Sequence, residues 1–148
     1  MPADQPPVDG PSDPGTVRLI AAARVARLAA AAPFSNFQVG AALELADGTI
    51  VTGCNIESAS YGLTVCAERV AIFKAVSEGR RGFTRLAVVA DASGAGGAVA
   101  PCGACRQVLW ELAGDIEILL VGLSGEITRY RLAALLPVPF DLDRPKHG

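Results

Sequence analysis

The sequence predicts an α/β fold: a single mixed five-stranded sheet with helices on both faces. Three observations carry that expectation. Two apolar runs, Phe37–Leu45 and Thr49–Cys54, are separated by Ala46-Asp47-Gly48, and Asp-Gly between such runs marks a β-hairpin. Leu86–Ala90 is short and apolar throughout, as suits a strand in the middle of a sheet. A hairpin followed by alternating helical and strand-like segments implies one sheet crossed by helical connections.

The elements follow in order. Thr16–Ala32 is rich in Ala, Leu and Arg and stops at Pro33, so it reads as a first helix. After the hairpin comes a loop, Asn55–Leu63. Thr64 opens a second helix that runs to about Glu78, with Gly79 closing it. Beyond the Leu86–Ala90 strand, the Gly- and Ala-rich stretch Ala92–Ala100 reads as a mobile loop. A third helix is expected over Cys102–Ala113, ended by Gly114. Ile116–Val121 and Ile127–Tyr130 flank Ser124-Gly125 as two further strands, and Leu132–Leu136 is a last helical turn before Pro137. No internal repeat and no second domain is visible. The expected division is a flexible Pro- and Asp-bearing tail over 1–14, one domain over 15–140 and a short tail over 141–148.

At 148 residues the chain is long enough to bury a core, and its 51% hydrophobic and 19% charged residues suit a compact soluble fold. The formal charge is −2 and no stretch concentrates Lys and Arg. A polyanionic partner such as nucleic acid is therefore not expected, and a small ligand is. The most apolar segment, Leu19–Ala32, is interrupted by Arg24 and Arg27, whereas a bilayer span needs ~20 apolar residues. The N-terminal tail lacks the basic start and apolar run of a signal peptide. The expected compartment is the cytoplasm, where disulfides are rare, so four cysteines point first to metal or catalysis.

Three of those cysteines fall at the openings of two expected helices. Cys102 and Cys105 lie in Pro101-Cys-Gly-Ala-Cys105, and Cys66 lies two or three residues into the start of the second helix. A thiolate is favoured at such places by free backbone N–H groups and by the helix dipole. Two helix starts at one sheet edge would gather the three sulfurs, and three protein ligands with one open position is the catalytic zinc arrangement. Cys54, at a strand end, is the remaining cysteine. It is read as buried, although as a fourth ligand it would close the site into a structural one.

Glu68 lies two residues after Cys66, and residues two apart in a regular helix point about 200° from each other. The pair can converge on one metal only if Cys66 precedes the regular helix. Alone, Glu68 would be an acid favoured by the helix dipole; beside three sulfurs it is a candidate proton carrier. Arg69 follows. A guanidinium donating to those thiolates would withdraw charge and restore acidity to a metal-bound water. The sole histidine is His147, in a terminal Pro-Lys-His-Gly, so Ser-His-Asp and Cys-His mechanisms are set aside.

Cys66-Ala-Glu68 and, after residues 69–100, Pro101-Cys-Gly-Ala-Cys105 resemble the zinc deaminase signature. Phe34-Ser-Asn-Phe-Gln-Val-Gly-Ala-Ala42, Gly53-Cys-Asn-Ile-Glu57, Cys66-Ala-Glu-Arg69, Pro101-Cys-Gly-Ala-Cys-Arg-Gln107 and Leu135-Leu-Pro-Val-Pro-Phe140 extend the likeness from Thr16 to about Phe140. Together they resemble the homotetrameric zinc-dependent cytidine deaminases. The resemblance implies the three-layer fold of that family, one zinc ion per subunit on Cys66, Cys102 and Cys105, and Glu68 as proton shuttle. It also implies that Asn55 and Glu57 bond the ribose hydroxyls and that Phe37 packs near sugar and base. Ala67 would offer its backbone to the pyrimidine edge, while Tyr61 and Phe140 would act across subunit interfaces. The implied substrates are free cytidine and 2′-deoxycytidine, in pyrimidine salvage. Phe34, where many members carry Tyr, and the Gly-heavy Ala92–Ala100 loop depart from the pattern.

Three other readings compete. The same zinc chemistry could act on a cytosine nucleoside antibiotic such as blasticidin S. Cys-Gly-Ala-Cys at a helix start also suits a thiol–disulfide oxidoreductase, although that leaves Cys66-Ala-Glu68 without a role. A non-catalytic zinc module closed by Cys54 is the third.

Overall fold

The computed structural model describes residues 13–93 and 98–142. Most of the Pro-bearing N-terminal tail, the centre of the Ala92–Ala100 loop and the end of the C-terminal tail, His147 included, lie outside them.

Helix α1 (Pro14–Arg27) starts where the Asp13 carboxylate accepts from the Thr16 N–H at 2.8 Å, with Pro14 at its first position. It stops at Arg27 instead of reaching Ala32. Alanine propensity yields here to tertiary bonding, because Arg27 Nε donates to the Gln38 carbonyl at 3.0 Å and Ala31 is bridged to Ile56.

The hairpin is β1 (Val39–Leu45) and β2 (Ile50–Cys54), turning at Gly48 with φ 87°. β1 begins at Val39, not Phe37. The Asn55 side chain takes the ladder's place there, accepting from the Val39 N–H and donating to the Phe37 carbonyl. After α2 (Ala67–Ser77), β3 (Phe83–Ala90) starts earlier than its apolar run, since Arg85 sits in the strand paired to Glu44 of β1. α3 (Gly103–Ala113), β4 (Glu117–Gly122), β5 (Ile127–Arg131) and the short α4 (Leu132–Leu135) complete the fold.

The five-stranded sheet has the order β2-β1-β3-β4-β5, antiparallel except for the parallel β3–β4 pair. That mixed sheet is the one expected. Alternation along the strands divides the core in two. On one face Ala42, Ala87, Val89, Leu119 and Val121 pack on Leu19, Ile20 and Ala23 of α1. On the other, Ala41, Leu43, Leu86, Val88 and Ile118 pack on Ala67, Ala71 and Ile72 of α2 and Leu109 of α3. The result is three layers. Gly53 sets how closely α2 approaches β2, because a Cβ there would lie 2.5 Å from both the Ala67 carbonyl oxygen and the Ala71 nitrogen.

Candidate active site

Cys66 and Cys102 each occupy the residue before a helix, with extended backbone at φ −68°, ψ 154° and φ −67°, ψ 166°. The second and third helices therefore begin later than Thr64 and Cys102. Val65 and Ile56 exchange two backbone hydrogen bonds of 2.9 Å, which fixes the chain entering Cys66. Arg106 Nε donates to the Pro101 carbonyl at 2.8 Å and does the same for the chain entering Cys102. Cys105 lies buried in the first turn of α3.

The three sulfurs converge. Their Sγ atoms all lie within 4.8 Å of one another, with 3.8 Å from Cys66 to Cys102 and 3.5 Å from Cys102 to Cys105. Tetrahedral zinc with sulfur at about 2.3 Å separates its ligands by about 3.8 Å, so these side chains fit that ion. Cys54 is half-buried, less enclosed than expected, and stands outside the sulfur cluster. Its strand position opposite Gly40 holds it away.

Glu68 is the second residue of α2 and 5% exposed. Because Cys66 precedes the helix, the angular conflict between the two disappears, and both line one cavity with Cys102. Burial, with the Cys66 thiolate adding to it, holds the Glu68 carboxyl above its ordinary value near 4.5. Arg69 Nη2 donates to Cys66 Sγ at 3.5 Å, and its Nε is buried with no hydrogen-bond partner. Hydrogen bonding from Cys105 first, then from Arg69, draws the Cys66 thiol down to about 5. Cys105 moves the other way, since it donates to Cys66 and is itself buried.

The cavity is about 200 Å³ and brings together Phe37, Asn55, Cys66, Ala67, Glu68 and Cys102. Glu57 and Tyr61 line a neighbouring cavity of about 340 Å³ with Phe34 and Ser35, and Thr64 borders both. Tyr61 is 78% exposed and meets Phe34 edge-on at 6.5 Å. Phe140 is 66% exposed and lines neither cavity, its backbone being held by Gln107 of α3.

Residues 17–121 match the family model of the cytidine and deoxycytidylate deaminase zinc-binding region. The chain belongs to this deaminase family. It is 52% identical over 124 residues to a cytidine deaminase of Sporosarcina psychrophila, covering 83% of this chain and 89% of the relative. The crystal structure of a cytidine deaminase from Burkholderia pseudomallei is similar with a TM-score of 0.80 and 47% identity, covering 84% of this chain and 98% of that one. A blasticidin-S deaminase of Bacillus cereus is more distant, 31% identical over 111 residues covering 72% and 79% of the two chains.

Membership gives a zinc-binding deaminase in place of a dithiol oxidoreductase or a non-catalytic zinc module. Sequence reasoning about this deaminase left several residues without roles. Arg106 and Gln107 tie α3 to the C-terminal segment, Arg106 through the Leu135 carbonyl at 2.7 Å. Ser35 bonds Glu57, and Thr64, Val99 and Ala100 line the metal-side cavity. The Arg106-Gln107 pair beside Cys105 was a usable signal, being polar residues on a helix otherwise apolar around them. Thr64 and Ser35 carried none, as Ser and Thr are ordinary at turns and helix starts.

Proposed function

We propose that this deaminase converts free cytidine and 2′-deoxycytidine to uridine and 2′-deoxyuridine with release of ammonia. The carrying observation is that three sulfurs cluster within 4.8 Å of one another and that two of their residues, Cys66 and Cys102, line one cavity with the buried Glu68 carboxyl. Zinc held by Cys66, Cys102 and Cys105 would supply acidity, lowering the pKa of a bound water toward about 7.

The remaining chemistry belongs to the chain. Glu68 accepts a proton from the attacking water and passes it to N3 of the cytosine ring, so that C4 becomes electrophilic. The water oxygen bonds to C4. Glu68 then takes the second proton from that oxygen and gives it to the amino group, the C4–N bond breaks, and ammonia leaves. A carboxyl raised above its ordinary range is suited to both halves of that exchange. Arg69, donating to Cys66, removes charge from the sulfur set and favours acidity at the metal.

Phe37 and the Ala67 backbone bound the base, and Asn55 and Glu57 the ribose. The lining of the two cavities holds Glu57 and Glu68 and no Lys or Arg. A phosphate, with about two negative charges, would find no partner there, which favours the nucleoside over the nucleotide. Asn55 and Glu57 and the nearer relatives favour cytidine over a blasticidin-type substrate. The active form we propose is a homotetramer in the cytoplasm, serving pyrimidine salvage, in which Tyr61 and Phe140 complete neighbouring pockets. Their exposure as apolar groups supports a covering partner.

The test is the fall in ultraviolet absorbance when purified protein meets cytidine, before and after removal of metal by a chelator. Loss of turnover with the metal and its return with zinc are expected. Undiminished turnover by demonstrably metal-free protein would overturn the reading.

A further inference from the structure

Glu57 stands in an exposed loop, yet its carboxylate is fully organised. Oε1 accepts from the Phe34 N–H at 2.9 Å and from the Ser35 N–H at 3.1 Å, and Oε2 accepts from the Ser35 hydroxyl. The same hydroxyl oxygen accepts from the Phe37 N–H at 3.0 Å. A serine hydroxyl has one proton, and a backbone N–H can only donate. The Ser35 proton is therefore committed to Glu57. On the far side of Phe37, its carbonyl accepts from Asn55 Nδ2 at 2.8 Å. Glu57, Ser35, Phe37 and Asn55 are thereby linked in one continuous run, in which the Ser35 hydroxyl joins Glu57 to the Phe37 backbone. Asn36 permits the turn by taking φ 55°, a left-handed conformation that Asn tolerates.

A carboxylate offers about four acceptor positions. Oε1 has both of its own filled, while Oε2 has one taken by Ser35 and one left over. We infer that Ser35 is a positioning residue for the sugar: it aims the free acceptor of Glu57 at a ribose hydroxyl and holds Phe37 in register with it. The inference rests on the reading that Glu57 contacts the sugar. Ser35 acts through Glu57 and touches no reacting atom. It is also exposed, so removing its hydroxyl leaves neither a void nor a buried polar group unsatisfied.

Ser35→Ala should raise KM for cytidine about fivefold, the equivalent of one modest hydrogen bond, with kcat and the thermal midpoint nearly unchanged. Ser35→Thr, which keeps the hydroxyl, should restore KM. The Ser35→Ala penalty should vanish in a Glu57→Gln background, and also on 2′,3′-dideoxycytidine, which lacks the hydroxyls. A penalty that persists undiminished on the dideoxy substrate, or that adds to that of Glu57→Gln, overturns the inference, as does an unchanged KM in Ser35→Ala when Glu57→Gln raises it. Unchanged KM in Glu57→Gln sinks the sugar-contact reading itself, and the inference with it.

Discussion

Gln107 pairs with both backbone groups of Phe140, donating from Nε2 to the carbonyl at 2.7 Å and accepting at Oε1 from the N–H at 3.0 Å. One side chain thus does for the C-terminal segment what an adjoining strand would do. Gln107→Ala should expose the Phe140 amide, speeding its hydrogen exchange about tenfold while exchange in β3 and β4 stays slow. If Phe140 completes a neighbouring pocket, KM for cytidine rises as well. Undisturbed protection at Phe140 would show that something else holds the segment.

Glu68→Gln preserves volume at a side chain that is only 5% exposed. Removing the proposed proton carrier should lower kcat by about 10²–10⁴-fold, with zinc content and the unfolding midpoint maintained. Turnover and elemental analysis on one preparation check this. Near wild-type turnover would remove Glu68 from the mechanism.

Arg69→Met keeps the apolar stem and deletes the donor to Cys66. The sulfur set then holds more charge, so activity should fall about 10–100-fold, the scale typical for partners of metal ligands. The falloff should appear in kcat more than in KM, because no sugar or base contact is touched. A change confined to KM would contradict the role.

Away from the site, Glu44 and Arg85 form a bond pair with side chains 13% and 19% exposed. Arg85 donates to Glu44 from Nε at 2.8 Å and Nη2 at 2.9 Å, and those hydrogen bonds hold the Glu44 carboxyl below its ordinary 4.5. A depressed folded value means the ionised form favours the fold above about pH 4.5, and the gain is lost as pH drops through the folded value. Glu44→Gln should therefore cost about 2 kcal/mol in urea unfolding at neutral pH. The difference from wild type should close in acid. A gap independent of pH would show that packing, not charge, is responsible.

Local rules made the sheet and helices legible, because Asp47-Gly48, the apolar β3 and Pro101 act over a few residues. They failed where distant polar groups intervene. α1 ends at Arg27 because of Gln38 and Ile56, and β1 starts at Val39 because the Asn55 amide blocks earlier pairing. For the site, Cys66, Cys102, Cys105 and Glu68 were readable from spacing and helix starts. Ser35 and Thr64 were not, since Ser and Thr are ordinary in such turns, and Arg106 and Gln107 stood out only as polar residues beside Cys105, their partners Leu135 and Phe140 being remote in sequence.

The sulfurs of Cys66 and Cys102 are 36 positions apart along the chain, and β3, between β1 and β4 in the sheet, runs through the interval. An ion gripping both is a clasp round the middle of the molecule, so part of its affinity is stored as resistance to unfolding. The entropy of closing such a ring grows only with the logarithm of its length. The chain length enclosed between Cys66 and Cys102 therefore changes the strength of that clasp only slowly, so its grip depends on the two helix starts that present the sulfurs far more than on the length of what lies between.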